Sequence, residues 1–209
     1  MTYKYIYKTP EKLSNMIMNS DGEYLTRLWF EGSRNSIMRR CKWCNLNNPK
    51  YIEYHDKEWC KPNYDEKYLY EMLILESFQA GLSWECVLNK RDDFKKAFDN
   101  FDIDKICNYT EDKIEELLQN KKIIRNKLKI NATINNSKIF KKIQNEYGTF
   151  YKYLMTFTNN KIIYEIDKTT NELSDSLSKD LKKRGMKFVG STIIYSHDKE
   201  CFMYKKGRN

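Results

Sequence analysis

The chain has 209 residues, 40% of them hydrophobic and 32% charged, with a formal net charge of +9. That length holds one ordinary domain, with or without an appendage, and suffices to bury a real core. No stretch approaches the ~20 apolar residues of a membrane span, and the N-terminus lacks the apolar run and small-residue cleavage site of a secretory signal, so a cytoplasmic protein with no membrane partner is expected. The basic balance favours a polyanionic partner such as nucleic acid, although Lys-, Asn- and Ile-rich usage produces the same charge without one.

Residues 1–37 differ from the rest. "YKYIYK", "LSNMIMNS" and "YLTRLWFEG" are short β-type runs, and Asp21-Gly22 supplies a turn, which predicts a hairpin or small meander too small to stand alone. From residue 38 onward the pattern predicts a mostly α body. "DEKYLYEMLILESFQAG" has apolar residues at 68, 69, 72, 73, 75 and 78 and a stop near Gly81; "WECVLNKRDDFKKAF" follows Ser83 as a second helix; "TEDKIEELLQN" begins at a Thr cap. A further helix is expected from about 127 to 146, ending near Gly148, and "SDSLSKDLKKRG" has a Ser cap, basic residues in its last turn and a stop at Gly185.

The basic residues cluster in this body. Residues 121–142 carry eight Lys/Arg and no acid, among them Lys121, Lys122, Arg125, Lys127 and Lys129, and residues 179–187 carry five against one Asp, including Lys183 and Arg184. Placed between helices, such residues suit phosphate contacts, which position a protein on DNA without reading its sequence. A solvated helix face is the plain alternative for either run alone.

Residues 41–60 gather three cysteines, one of the two histidines, two of the four tryptophans and two tyrosines. Six cysteines in a reducing compartment read as buried thiols or metal thiolates. Cys41 and His55 at the head of the body and the i, i+4 pair His197 and Cys201 at its far end make a set of two sulfur and two nitrogen donors for a tetrahedral structural zinc. Cys44 and Cys60 remain alternative ligands. Trp43, Tyr54, Trp59 and Trp84 bracket Glu76, a carboxylate that follows the apolar "MLIL" and would be costly to bury alone. Aromatic faces and a buried acid together describe a pocket for a charged heterocycle such as an alkylated base.

Residues 38–209 resemble bacterial DNA-3-methyladenine glycosylase I, a helix-hairpin-helix family, through "RCKWC", "YIEYHDKEW", "LILESFQAGLSWECVLNKRDDF", "IIRNKLKINATINN", "LSKDLKKRGMKFVGSTIIYS" and "HDKECF". The resemblance implies a monomer that excises 3-methyladenine from alkylated double-stranded DNA without a lyase step, with a structural zinc clasping the termini. Carried over by motif, Cys41, His55, His197 and Cys201 would hold the zinc, and Trp43, Tyr54, Glu76 and Trp84 would line the base pocket with Trp59 nearby. The implied mechanism extrudes the damaged nucleotide and stacks its cationic base on the aromatics. Glu76 recognises the base edge and balances charge while water attacks the sugar; methylation at N3 already makes the base a good leaving group.

Three departures qualify that picture. The family places roughly ten more residues between the "TIIYS" helix and the His-x3-Cys pair, about 15 Å at helical rise, which predicts a clasp that is hard to close. "NKKIIRNKLK" lacks the glycine common in such hairpins. Residues 1–37 are similar instead to the opening strands of methylated-DNA:protein-cysteine methyltransferase, without its reactive-cysteine segment. The runner-up reading is a zinc-containing DNA-binding chain without catalysis, and behind it a purely structural helical domain with no affinity for DNA.

Overall fold

In the computed structural model, residues 17–18, 24–28, 36–59, 61–158 and 168–201 are described. The chain forms two compact units, Met1–Glu58 and Trp59–Asn209. The segment 38–58, grouped with the helical body on sequence, thus falls in the first unit. The chain is mostly helical among the described residues.

In the first unit, β1 (Ile17–Met18), β2 (Tyr24–Leu28) and β3 (Ser36–Arg40) pair antiparallel in the order β1-β2-β3, with Thr26 opposite Met38. Much of the expected N-terminal appendage, Asp21-Gly22 included, lies outside the described residues. Helix α1 (Pro49–Lys57) follows. Its start is written locally: Asn48 accepts a hydrogen bond from the Lys50 N–H at 3.2 Å, and Pro49 takes the first helical position, where its missing N–H costs nothing.

The second unit is built around α2 (Glu66–Gln79), capped by Asp65 accepting from the Tyr68 N–H at 2.8 Å. Every residue from Leu69 to Phe78 is buried, so this is a helix enclosed on all sides rather than an amphipathic one. Around it come α3 (Trp84–Asn89), α4 (Arg91–Ala97), a 3-10 turn at Asp99–Phe101, α5 (Ile103–Cys107), α6 (Glu111–Gln119), α7 (Lys127–Tyr147), α8 (Phe150–Thr158), α9 (Glu172–Lys183) and α10 (Ser191–Cys201). Helices α7 and α8 pack on α2, and α10 lies against both α2 and α9. Phe78, Phe94, Phe98 and Phe101 interlock edge-on and stacked beneath α2, with centroids 4.7 to 6.4 Å apart.

Local rules fail at identifiable places. The single helix expected after Ser83 is two, because Lys90 at φ −98°, ψ 0° breaks the ladder between α3 and α4. Buried Glu71 then fixes the second piece through Arg91 at 2.6 Å and Lys95 at 3.1 Å. Helix α9 starts earlier than expected: Asn171 is its cap, and Ser174 is the reciprocal partner in a capping box. The end of α7 agrees with expectation, Gly148 adopting φ +87°. Helix α8, not foreseen, has its first amides satisfied from afar, Glu66 accepting from the N–H groups of Phe150 at 2.8 Å and Tyr151 at 2.9 Å.

Candidate active site

Glu76 lies in the fourth turn of α2 with no exposed surface. Burying an ionised carboxylate costs several kcal/mol before its partners are counted, on the order of the penalty for any buried charge after relaxation. Across from it stands His197 of α10, whose Nδ1 is 3.4 Å from Glu76 Oε2, both side chains being 1% exposed. Burial pushes the His197 imidazole down to about 3, so it is neutral at physiological pH. The Phe150 ring flanks it at 6.4 Å.

Beyond Glu76, α2 ends in the turn Ala80-Gly81-Leu82-Ser83. Gly81 takes φ +78°, where a side chain would be strained, and Ser83 caps α3 by accepting from the Cys86 N–H at 3.2 Å. Trp84, the first residue of α3, is half-buried. Leu82 is 42% exposed at the tip of this turn, and Leu128, at the start of α7, is 72% exposed. Sequence reasoning passed over both. A patterning argument would have marked Leu128, which falls off the apolar stripe of its helix.

Lys129 is the main surprise. Expected as a phosphate contact, it is buried, and its ammonium donates to the carbonyls of Phe78 at 2.8 Å and Ala80 at 2.6 Å. It caps the C-terminus of α2, where a cation meets the negative end of the helix dipole, and lies 5.8 Å from the Phe188 ring centroid. Arg184 is likewise engaged, with Asp180 at 2.7 Å, Glu146 at 2.6 Å and the rings of Tyr147 and Tyr153. Both residues hold the fold together with the groups proposed for DNA. Lys127 pairs with Glu111 and Glu115 at its exposed position. Lys121, Lys122, Arg125 and Lys183 are exposed. The turn that carries the first three is tied down by Lys90 Nζ donating to the Lys122 carbonyl at 3.0 Å.

The "KKRGMKFVG" stretch forms the turn between α9 and α10. Buried Asn136 of α7 clamps it by accepting from the Lys187 N–H at 2.9 Å and donating to the Lys187 carbonyl at 2.8 Å. Phe188 is thereby held at φ +56°, a left-handed conformation rare for an aromatic residue.

In the first unit, the Cys41 N–H donates to His55 Nε2 at 3.1 Å, and His55 Nδ1 meets Asp56 Oδ1 at 3.0 Å. Arg40, 4% exposed, grips Asp56 by a two-pronged contact, Nε lying 2.8 Å from Oδ1. Burial alone would lower the His55 pKa, but its bonds to Asp56 and Cys41 outweigh burial and raise it. Burial alone would raise the Asp56 carboxyl, and the His55 and Arg40 bonds hold it below its ordinary range. Trp43 is exposed, Tyr54 is buried, and their rings lie 6.5 Å apart. Tyr51 stacks on Tyr54 at 6.4 Å. Trp59, at the start of the second unit, is half-buried.

Of the four zinc ligands expected, Cys41 and His55 therefore stand together and His197 faces Glu76. The side chain of Cys201 lies outside the described residues, as does Cys60. Cys44 is buried and directs its thiol to the Tyr51 carbonyl at 3.8 Å. Among the described residues, no group of three or more His, Cys, Asp or Glu side chains could hold a metal ion. The carboxylate behind His55 is the kind of outer support that metal-binding histidines use, and the chemistry of Cys41 and His55 suits a zinc ion.

A family model described as methyladenine glycosylase matches residues 43–206, which include Glu76, Trp84 and both ends of the "KKRGMKFVG" turn. The chain belongs to the methyladenine glycosylase family. The DNA-3-methyladenine glycosylase 1 of Escherichia coli (strain K12) is 42% identical over 171 residues, 78% of this chain and 90% of that protein. A crystal structure of 3-methyladenine DNA glycosylase I is similar with a TM-score of 0.75 at 39% identity, covering 79% of this chain and 93% of that one. The structure of 3-methyladenine DNA glycosylase I from Staphylococcus aureus, solved to explain its recognition of 3-methyladenine, gives a TM-score of 0.73 at 33% identity over 77% and 90% of the two chains. The methyladenine glycosylase match leaves residues 1–42 outside it. Among the described residues, no helix is long and apolar enough to cross a membrane.

Proposed function

We propose that this protein is a monofunctional DNA glycosylase that hydrolyses the N-glycosidic bond of 3-methyladenine in alkylated duplex DNA. The observation that carries the reading is Glu76, a fully buried carboxylate on an enclosed helix in a chain of the methyladenine glycosylase family. A buried carboxylate supplies the acceptors and the negative charge that a cationic base needs. Glu76 accepts hydrogen bonds from the edge of the extruded base and balances its positive charge, and Trp84 on α3 is proposed to stack on it; the family resemblance adds Trp43, Tyr54 and Trp59 to the base-binding residues. Because the methylated base leaves readily, the protein's work is extrusion, recognition and admission of water rather than strong acid catalysis. The segment from α6 to α7 is read as the hairpin of a helix-hairpin-helix element, with charge standing in for its missing glycines, and the protein is read as a monomer. Residues 1–37 are read as a remnant piece with no chemistry of their own.

Chromatographic detection of free bases released from methylated duplex DNA tests the reading. Release of 3-methyladenine supports it, and salt-sensitive binding without release would select the non-catalytic alternative. The phosphate contacts have their own test. Replacing Lys121, Lys122, Arg125 or Lys183 by Gln should each reduce the slope of log affinity against log salt by about 1. The Lys129→Gln and Arg184→Gln proteins, whose cationic groups are already engaged within the fold, should keep the wild-type slope.

For the metal, the support extends to Cys41 and His55, with Asp56 and Arg40 behind them. A zinc there would need two further donors. Metal analysis of the purified protein decides whether the four-ligand set operates. Loss of both zinc and thermal stability in His55→Ala would establish it, and a folded, zinc-free wild type would remove it.

A further inference from the structure

We propose that His197 is the positioning residue for Glu76, an inference that rests on the glycosylase reading of that glutamate. The terminal torsion of a glutamate is broad and close to two-fold, so the side chain does not choose its own carboxylate orientation. A base edge must nevertheless meet the oxygens within ordinary hydrogen-bond geometry, about 2.7–3.2 Å and near linear. In the interior of this unit, Nδ1 of His197 lies 3.4 Å from Oε2 of Glu76. A polar ring atom at that distance, with both side chains 1% exposed, favours one rotation of the carboxylate over the others.

The histidine is itself fixed. It rides on α10, which packs against α2 and α9, with Ile194 and Tyr195 just before it buried, and the Phe150 ring of α8 flanks its imidazole at 6.4 Å. Helices α2, α8 and α9 around α10 thus decide where the imidazole stands, and it in turn sets Glu76, the supporting arrangement that a preorganised site requires. The same contact gives His197 a place in the molecule that requires no metal.

His197→Phe preserves the planar ring and removes its nitrogens, whereas His197→Asn returns an amide to the Nδ1 position. Single-turnover release of 3-methyladenine from methylated duplex DNA, equilibrium binding of the free base, melting temperature and zinc content are to be measured on both variants beside the wild type. The Phe variant should release base about 10- to 100-fold more slowly, with the Asn variant within about threefold of wild type, since small misplacements of a recognition group cost rates of that order. Free-base affinity should follow the same ranking, with DNA affinity and zinc content at wild-type levels. A Phe variant that matches wild type in release and base binding overturns the inference alone. Loss of rate in both variants in step with their melting temperatures overturns it by assigning His197 to packing, and zinc lost with the histidine overturns it by making the residue a metal ligand. Wild-type protein that neither releases nor binds 3-methyladenine overturns the glycosylase reading, and this inference with it.

Discussion

Glu76→Gln should slow release of 3-methyladenine by about 100-fold or more while leaving the affinity for undamaged duplex DNA within a few-fold of wild type. The exchange removes a charge and one acceptor but almost no volume, so the enclosed α2 should keep its packing. The melting temperature should hold or rise, because an amide costs less to bury than a carboxylate. This combination separates chemistry from architecture. A variant that loses DNA affinity and base release in equal measure would make Glu76 a structural residue, and the proposed function would lose its main support.

Lys129→Met should produce the largest loss of stability among single changes at charged residues near the site. Methionine keeps the stem and deletes the ammonium, leaving the Phe78 and Ala80 carbonyls without the donor they share. Hydrogen bonds to charged groups are each worth about 1.5–3 kcal/mol, so a loss on the order of 3 kcal/mol is expected, roughly 6–12 °C in melting temperature for a protein of this size. The released carbonyls lie at the end of the helix of Glu76 and in the turn that links it to the helix of Trp84, so base release should also fall. Thermal melts followed by circular dichroism provide the check, and a shift under about 2 °C would show that Lys129 is not a cap that matters.

The mostly helical architecture was legible because apolar spacing, Asp65, Ser83, Gly148 and Gly185 are local signals, each acting within a turn of its own helix. Helix α8 was not, because its N-terminal amides are served by Glu66, far away in sequence. Helix α1 should have been found, since Asn48-Pro49 is a cap followed by a first-turn proline. The break at Lys90 depends on how α4 is held by Glu71, and nothing in the run "LNKRDD" announces it.

The candidate site divides in the same way. Glu76 could be picked out because an acid directly after "MLIL" is chemically odd, but its neighbour could not, since only the packing of α10 on α2 brings His197 there. The misreading of Lys129 had a remedy in the sequence: it opens the stripe 129, 133, 136, 140, all buried in α7, and helical periodicity turns it inward. Arg184 follows Asp180 by four residues, the spacing of an ion pair on one helix face. Counting charge along the chain recorded these cations without their direction.

Helix α2 is anchored at both ends by groups that themselves belong to other helices. Near its start, Glu66 accepts the first amides of α8; past its end, Lys129 of α7 grips the Phe78 and Ala80 carbonyls. A rod fastened at both ends can neither slide nor turn, and a single residue added between the fastenings would swing everything after it by about 100° around the axis. Glu76 is therefore indexed to the scaffold. A change in which damaged base is accepted must come from the side chains surrounding that carboxylate, because the helix that carries it cannot shift toward a different one.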